Sequence, residues 1–128
     1  MQIVFPPGFR TTVQNGITIA LDQHGTMIAA GPIEIPTNNP KQLARYHARA
    51  NGLVFEAMQQ VPIGGAQRPM AVFHGKAGGV IVRHLAVPLI GPGYRVFVAF
   101  QAPAQRLASD ATLQALAIEL YARRIVLP

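Results

Sequence analysis

From Gln67 to Gln101 apolar residues fill both alternations of three successive strand-like runs, and this pattern restricts the fold more than anything else in the chain. The runs are Gln67 to His74, Gly79 to Leu89 and Tyr94 to Gln101. Their connections, Gly75-Lys76-Ala77-Gly78-Gly79 and Ile90-Gly91-Pro92-Gly93, are short and rich in turn formers, which predicts an antiparallel meander. Pairing Leu89 with Tyr94 sets Val87 opposite Val96 and Leu85 opposite Val98 on one face. It sets Ala86 against Phe97 and His84 against Ala99 on the other. A sheet wetted on one side shows polar residues on that side. This one needs cover on both.

Two segments offer that cover. Leu43, Tyr46, Ala50, Leu53, Val54, Ala57, Met58 and Val61 recur at helical spacing, which predicts a helix from about Pro40 to Gln60. Asn39 is its expected N-cap, with Pro40 in the first helical position, and Pro62 ends it. Gly52 and Phe55 fall on its polar side. A second helix is expected over Ser109 to Arg124, with Leu113, Leu116, Ala117, Leu120 and Tyr121 as its stripe. Upstream, Phe9 to Gln14, Gly16 to Asp22 and Thr26 to Ala30 read as strands turned by Asn15-Gly16 and Gln23-His24-Gly25. The expected architecture is one α+β domain, an antiparallel β-sheet covered by two amphipathic helices in a three-layer sandwich.

Only 12% of the residues are charged, about half the usual share. The net charge is +6, from eleven Lys and Arg against five Asp and Glu. The basic residues are scattered, so solvation of a greasy domain explains them better than nucleic-acid binding does. No apolar run approaches the roughly 20 residues of a membrane-spanning helix. The N-terminus lacks a basic stretch followed by an apolar core, so a soluble, cytoplasmic chain without a secretory signal is the expectation.

The stretch Gly93-Tyr94-Arg95-Val96-Phe97-Val98-Ala99-Phe100-Gln101-Ala102-Pro103, followed by the Ser109 to Arg124 helix, resembles the PsbP/Mog1/DcrB-like domain. The opening Phe5-Pro6-Pro7-Gly8-Phe9 is similar to the first strand of that group. The resemblance spans most of the chain and implies the Mog1/PsbP-like three-layer sandwich. It also implies a non-catalytic accessory module acting in assembly or secretion, or simply binding a partner. The lipid-anchoring cysteine of the lipoproteins and the targeting segment of the photosystem proteins are both missing, so the particular jobs of those relatives do not carry over.

Few residues offer chemistry. The chain has no cysteine, and its one serine, Ser109, is expected to cap the C-terminal helix. That leaves no evident serine or thiolate nucleophile and predicts no enzyme. Asp22 and His24 give two metal ligands at most, fewer than a site requires, so neither metal nor cofactor is expected. His74-Gly75-Lys76-Ala77-Gly78-Gly79 is glycine-rich and basic but lies between strands, unlike a phosphate-binding loop that opens a helix. Asp22, Glu34, Glu56, Asp110 and Glu119 are far apart in sequence and show no carboxylate pair. His47 and His84 would form an acid–base pair only if the fold brought them together.

Lys41, Arg45 and Arg49, spaced i, i+4, i+8, make a basic ridge along the first helix. With Phe55 they are the expected contact residues for a protein with an acidic surface, and self-association is also open. Two other readings stand beside this one. One is a small-molecule carrier or enzyme using His47, His84 or Arg95 in a pocket between helix and sheet. The other is a basic nucleic-acid binder.

Overall fold

Val, Ile, Phe and Ala at alternate positions build long strands here. The computed structural model describes residues 1–128. In chain order the elements are β1 Gln2–Ile3, β2 Arg10–Gln14, β3 Ile17–Leu21, β4 Met27–Pro32, α1 Pro40–Asn51 and β5 Val54–Ile63. There follow β6 Ala66–Ala77, β7 Val80–Gly91, β8 Tyr94–Pro103, α2 Ala104–Ser109, α3 Ala111–Arg123 and β9 Ile125–Val126. Seven strands form one antiparallel sheet in the order β2-β3-β4-β8-β7-β6-β5, and β1 pairs separately with β9. The architecture is α+β, with helices on both faces of the sheet.

The two cores confirm the need for cover. On one face, Val72, Val87, Val98, Phe100 and Ala102 pack with Leu113, Ala117, Leu120 and Tyr121 of α3. Tyr121 is buried, and its hydroxyl donates toward the carbonyls of Leu85 and Val98 at 2.9 and 3.2 Å. Burial holds its pKa well above the usual tyrosine value, so it stays a neutral donor. On the other face, Ala71, Phe73, Ala86, Phe97 and Ala99 pack with Leu43 and Ala44 of α1.

The meander register differs from expectation by two residues. Gly91 pairs with Tyr94 across a two-residue Pro92-Gly93 turn, so Val87 meets Val98, Ala86 meets Ala99 and His84 meets Gln101. Gly93, at φ 81°, supplies the positive φ that lets the strands run this far before turning. Because the slip is even, every residue keeps its face.

The expected 21-residue first helix is a helix and a strand. Gly52 adopts the left-handed conformation, φ 65° and ψ 33°, and the N–H of Leu53 returns to Ala48 O at 2.8 Å. That closes α1 at Asn51. Val54–Ile63 then forms the sheet's edge, where Pro62 is tolerated because its missing N–H faces no neighbouring strand. The buried stripe of α1 is correspondingly rotated onto Leu43, Ala44, His47 and Ala48, leaving Tyr46 and Ala50 exposed.

Asn39 caps α1 as expected, its Oδ1 accepting from the backbone N–H groups of Lys41 and Gln42 at 3.0 and 3.2 Å. Asn39→Ala is therefore expected to cost about 1 kcal/mol in urea denaturation. The cap of α3 is Asp110, not Ser109. Asp110 Oδ1 accepts from Thr112 and Leu113 N–H, while the Ser109 hydroxyl donates back to Gln105 O at 2.9 Å in the last turn of α2. Two adjacent cap-forming residues were available, and the chain breaks between them into two helices. Phe5 to Phe9, expected as a strand, is a connection whose two phenylalanines rest on the larger core.

Candidate functional site

The site grows from the placement of α1. Its main contacts fall on β5, β6 and β7, so the same face of the sheet over β3 and β4 has no helix above it. The step between helix and bare sheet is a cleft of about 420 Å³. Tyr46, Ala50 and Asn51 form its helical wall, and Ile17, Met27 and Ala29 form part of its floor.

At its inner end the fold brings His47 and His84 together. His84 is buried and faces the same side as Phe73 and Ala86. His47 descends from α1 onto it, with the two Nε2 atoms 2.8 Å apart. His84 Nδ1 lies 2.9 Å from Gln101 Oε1, an acceptor, so His84 carries its proton on Nδ1. Its Nε2 therefore accepts from His47 Nε2–H, and His47 Nδ1 is left to receive the Asn51 amide at 3.4 Å. One set of neutral tautomers satisfies the whole chain.

Electrostatics agree with that assignment. Desolvation, reinforced by the neighbouring His84, pushes His47 down to about 4. Burial also lowers His84, against a smaller upward pull from its bond to Gln101. Around the pair, Phe73 and Phe97 lie with ring centroids 5.6 and 4.6 Å from that of His47. The histidine ring centroids are 5.0 Å apart, which places the two Nε2 atoms almost head to head. That suits a shared proton. A shared zinc at about 2.0–2.1 Å from each nitrogen would require the rings to turn.

The ridge stands on the outer side of α1. Lys41, Arg45 and Arg49 are exposed and make no ion pair, whereas Arg83, Arg106 and Arg124 pair with Glu56, Asp110 and Glu119. Phe55 is not beside them on a helix. It lies on β5, 39% exposed, edge-on to Phe73, on the far side of α1 from the cleft. Arg95 is tied to Asn38 and to the carbonyls of Ile35 and Thr37, so it braces the β4–α1 connection and does not serve the cleft.

Other candidates have structural duties. Asp22 Oδ1 accepts from His24 and Thr26 N–H, both at 2.8 Å, and so builds the β3–β4 turn. No three His, Cys, Asp or Glu side chains gather as a metal-holding group. Gly78 and Gly79 are a two-residue hairpin turn, both at positive φ. Glu56 bonds His74 Nδ1 at 2.7 Å and Arg83 at 3.2 Å on the surface beside it. Sequence reasoning missed Asn51 and Gln101, whose part depends wholly on where the histidines sit.

No family model and no curated protein matches this chain. Among solved structures it is similar to LpqN, involved in cell envelope biogenesis of Mycobacterium tuberculosis, with a TM-score of 0.47 and 12% identity over 93% of this chain and 78% of that one. A likeness this distant assigns neither family nor activity. No helix here is long and apolar enough to cross a membrane.

Proposed function

We propose that this chain is a non-catalytic accessory domain of the PsbP/Mog1/DcrB-like kind that docks a protein partner bearing an acidic surface. The observation that carries the reading is the ridge of Lys41, Arg45 and Arg49, three exposed cations on one helix face with no carboxylate to neutralise them. Such a ridge attracts an acidic surface over roughly a Debye length, about 8 Å at physiological salt, and speeds encounter. The chemistry of the cleft supports the same reading. Its two histidines satisfy one another and Gln101, and Ser109 is held in the last turn of α2, where its hydroxyl donates to Gln105 O.

The test uses a fluorescein-labelled 15-residue poly-glutamate peptide, with a single-stranded oligothymidine of equal length as the competing class. Peptide affinity should fall steeply from 50 to 200 mM salt. Lys41→Gln, Arg45→Gln and Arg49→Gln together should weaken it at least tenfold while moving stability by under about 0.5 kcal/mol, as exposed substitutions do. Equal binding by the triple variant overturns the ridge. Tighter capture of the oligonucleotide would favour the nucleic-acid reading instead.

The cleft favours one further reading, a small-molecule carrier gripping its ligand between Tyr46, Asn51 and the β3–β4 floor. Ligand-induced amide shifts centred on β4 and α1, with the ridge silent, would distinguish it from protein docking.

A further inference from the structure

We propose that the cleft beside α1 is a binding site for a small organic amine, its protonated nitrogen at Glu34 and its flat apolar body on the β3–β4 floor. This rests on the carrier reading of the cleft and names the class of ligand carried. The ridge reading stands or falls independently of it.

Size and lining come first. The volume of about 420 Å³ lies in the lower part of the roughly 300–1,000 Å³ range of ligand sites, so the occupant is small. Ile17, Met27, Ala29 and Ala99 make an apolar bed, in which the Met27 thioether adapts to an irregular shape. Ile17 rests over Gly31, within 3.1 Å of where a Cβ on that glycine would stand, so the bed is packed from below. Its side chain is still 39% exposed, apolar surface that a ligand would take out of water. Tyr46, His47 and Phe97 bring three rings to the lining, which suits a flat body. The cleft also has two unlike ends. Met27 pairs with Gln101, itself opposite His84, so the histidines stand level with the start of β4. Glu34 follows the last residue of that strand, Pro32, by two positions.

Charge selects the ligand. None of the eleven Lys and Arg lines the cleft, and its one carboxylate is Glu34. The other four acidic residues have structural partners. Asp22 holds the β3–β4 turn, Glu56 meets His74 and Arg83, Asp110 caps α3 and Glu119 pairs with Arg124. Glu34 is exposed and joins no ion pair, an unused anion in a chain of net charge +6. The polar groups at the inner end also lack donors to spare. His47 gives its N–H to His84, and His84 gives its own to Gln101. Asn51 Nδ2 is committed to His47 O at 2.9 Å and to His47 Nδ1, which leaves Asn51 Oδ1 as an acceptor. An ammonium supplies three donors and the opposite charge to Glu34. An anionic ligand finds no cation in the lining to receive it.

The test is an amide-shift titration of the full chain with three indoles of one shape: tryptamine, the neutral tryptophol and the anionic indole-3-propionate. Tryptamine should bind at least fivefold more tightly than either of the others, with shifts centred on β4 and α1. Glu34→Gln, at an exposed and unpaired position, should reduce tryptamine to the affinity of tryptophol while leaving tryptophol and the melting temperature unchanged. Ala50→Trp, which fills the cleft from an exposed position on its helical wall, should abolish binding of all three. The ridge triple variant should bind tryptamine as the parent chain does. Equal binding of the three indoles, all lost in Ala50→Trp, overturns the amine assignment and leaves the carrier reading standing. Undiminished tryptamine binding by Glu34→Gln overturns the role of that carboxylate, and with it the proposal. Binding that survives Ala50→Trp places the ligand elsewhere and also overturns it. Absence of shifts with all three at 5 mM overturns both the amine assignment and the carrier reading.

Discussion

Acidification from pH 7 to pH 4 is expected to destabilise the fold by about 3 kcal/mol through His47 alone. Its folded-state pKa is about 4, against 6.5 for the free side chain, and each unit of difference is worth about 1.4 kcal/mol. The sign follows from which state takes the proton. Above pH 6.5 neither folded nor unfolded chain protonates His47, and the full stability is present. Between 6.5 and 4 the unfolded chain binds a proton that the folded one refuses, so stability drains away with falling pH. Below 4 the term is spent. The refusal has a structural cause, since an imidazolium at this position would face Phe73, Phe97 and the second imidazole. His84, also lowered by burial, acts in the same direction. Urea denaturation at pH 7, 6, 5 and 4 measures the effect, with His47→Gln as the non-titrating control. In the variant the loss over this range should shrink by most of those 3 kcal/mol. An unchanged slope would mean that His47 is solvated and that the head-to-head pair does not hold α1 down.

That pair shows where the sequence stops speaking. The two apolar faces of the meander were legible because alternation is a local property with a period of two. Even a wrong guess at the Ile90 to Gly93 turn displaced the strands by an even number and left each face intact. The end of α1 was not legible. Leu53, Val54, Ala57, Met58 and Val61 fit a helical stripe as well as they fit a bulged edge strand, and Gly52 passes for a tolerated interior glycine until its left-handed φ is seen. Misplacing that end rotated the inferred stripe toward Tyr46 and Ala50, which in fact border the cleft.

The same lesson applies to the candidate residues. The exposure of Lys41, Arg45 and Arg49 along one side of α1 was legible because i, i+4, i+8 spacing within one helix requires no tertiary knowledge. Phe55 is not on that helix at all, since the chain leaves α1 at Gly52 and carries it on strand β5, paired with Phe73. The cleft was beyond reach altogether. It exists because one 12-residue helix lies over β5, β6 and β7, and nothing local in Pro40–Asn51 states which strands it will choose. What fixes the choice is the fit of Leu43, Ala44 and His47 against Phe73, Ala86, His84 and Phe97, a set drawn from four elements.

Phe73→Ala is therefore expected to carry the largest single-residue cost on the α1 face, about 3–5 kcal/mol. The ring is fully buried and stands between Phe55, His47 and His84, with centroid separations of 5.9, 5.6 and 5.7 Å. Its removal leaves a void under α1 that the alanines around it, Ala44, Ala71 and Ala86, are too small to fill. It also exposes the imidazole pair to water, so the acid sensitivity argued above should weaken in the same variant. The damage should be local before it is global. The smaller core holds eight buried residues and the larger fifteen, and α3 belongs entirely to the larger. Amide hydrogen exchange on the variant should show protection lost across Leu43 to Asn51 while Leu113 to Tyr121 keep theirs, because subglobal opening follows the weaker contact set. Equal loss of protection in both helices would show that the two layers unfold as one unit, and that the bare half of the sheet is braced by more than the seat of α1.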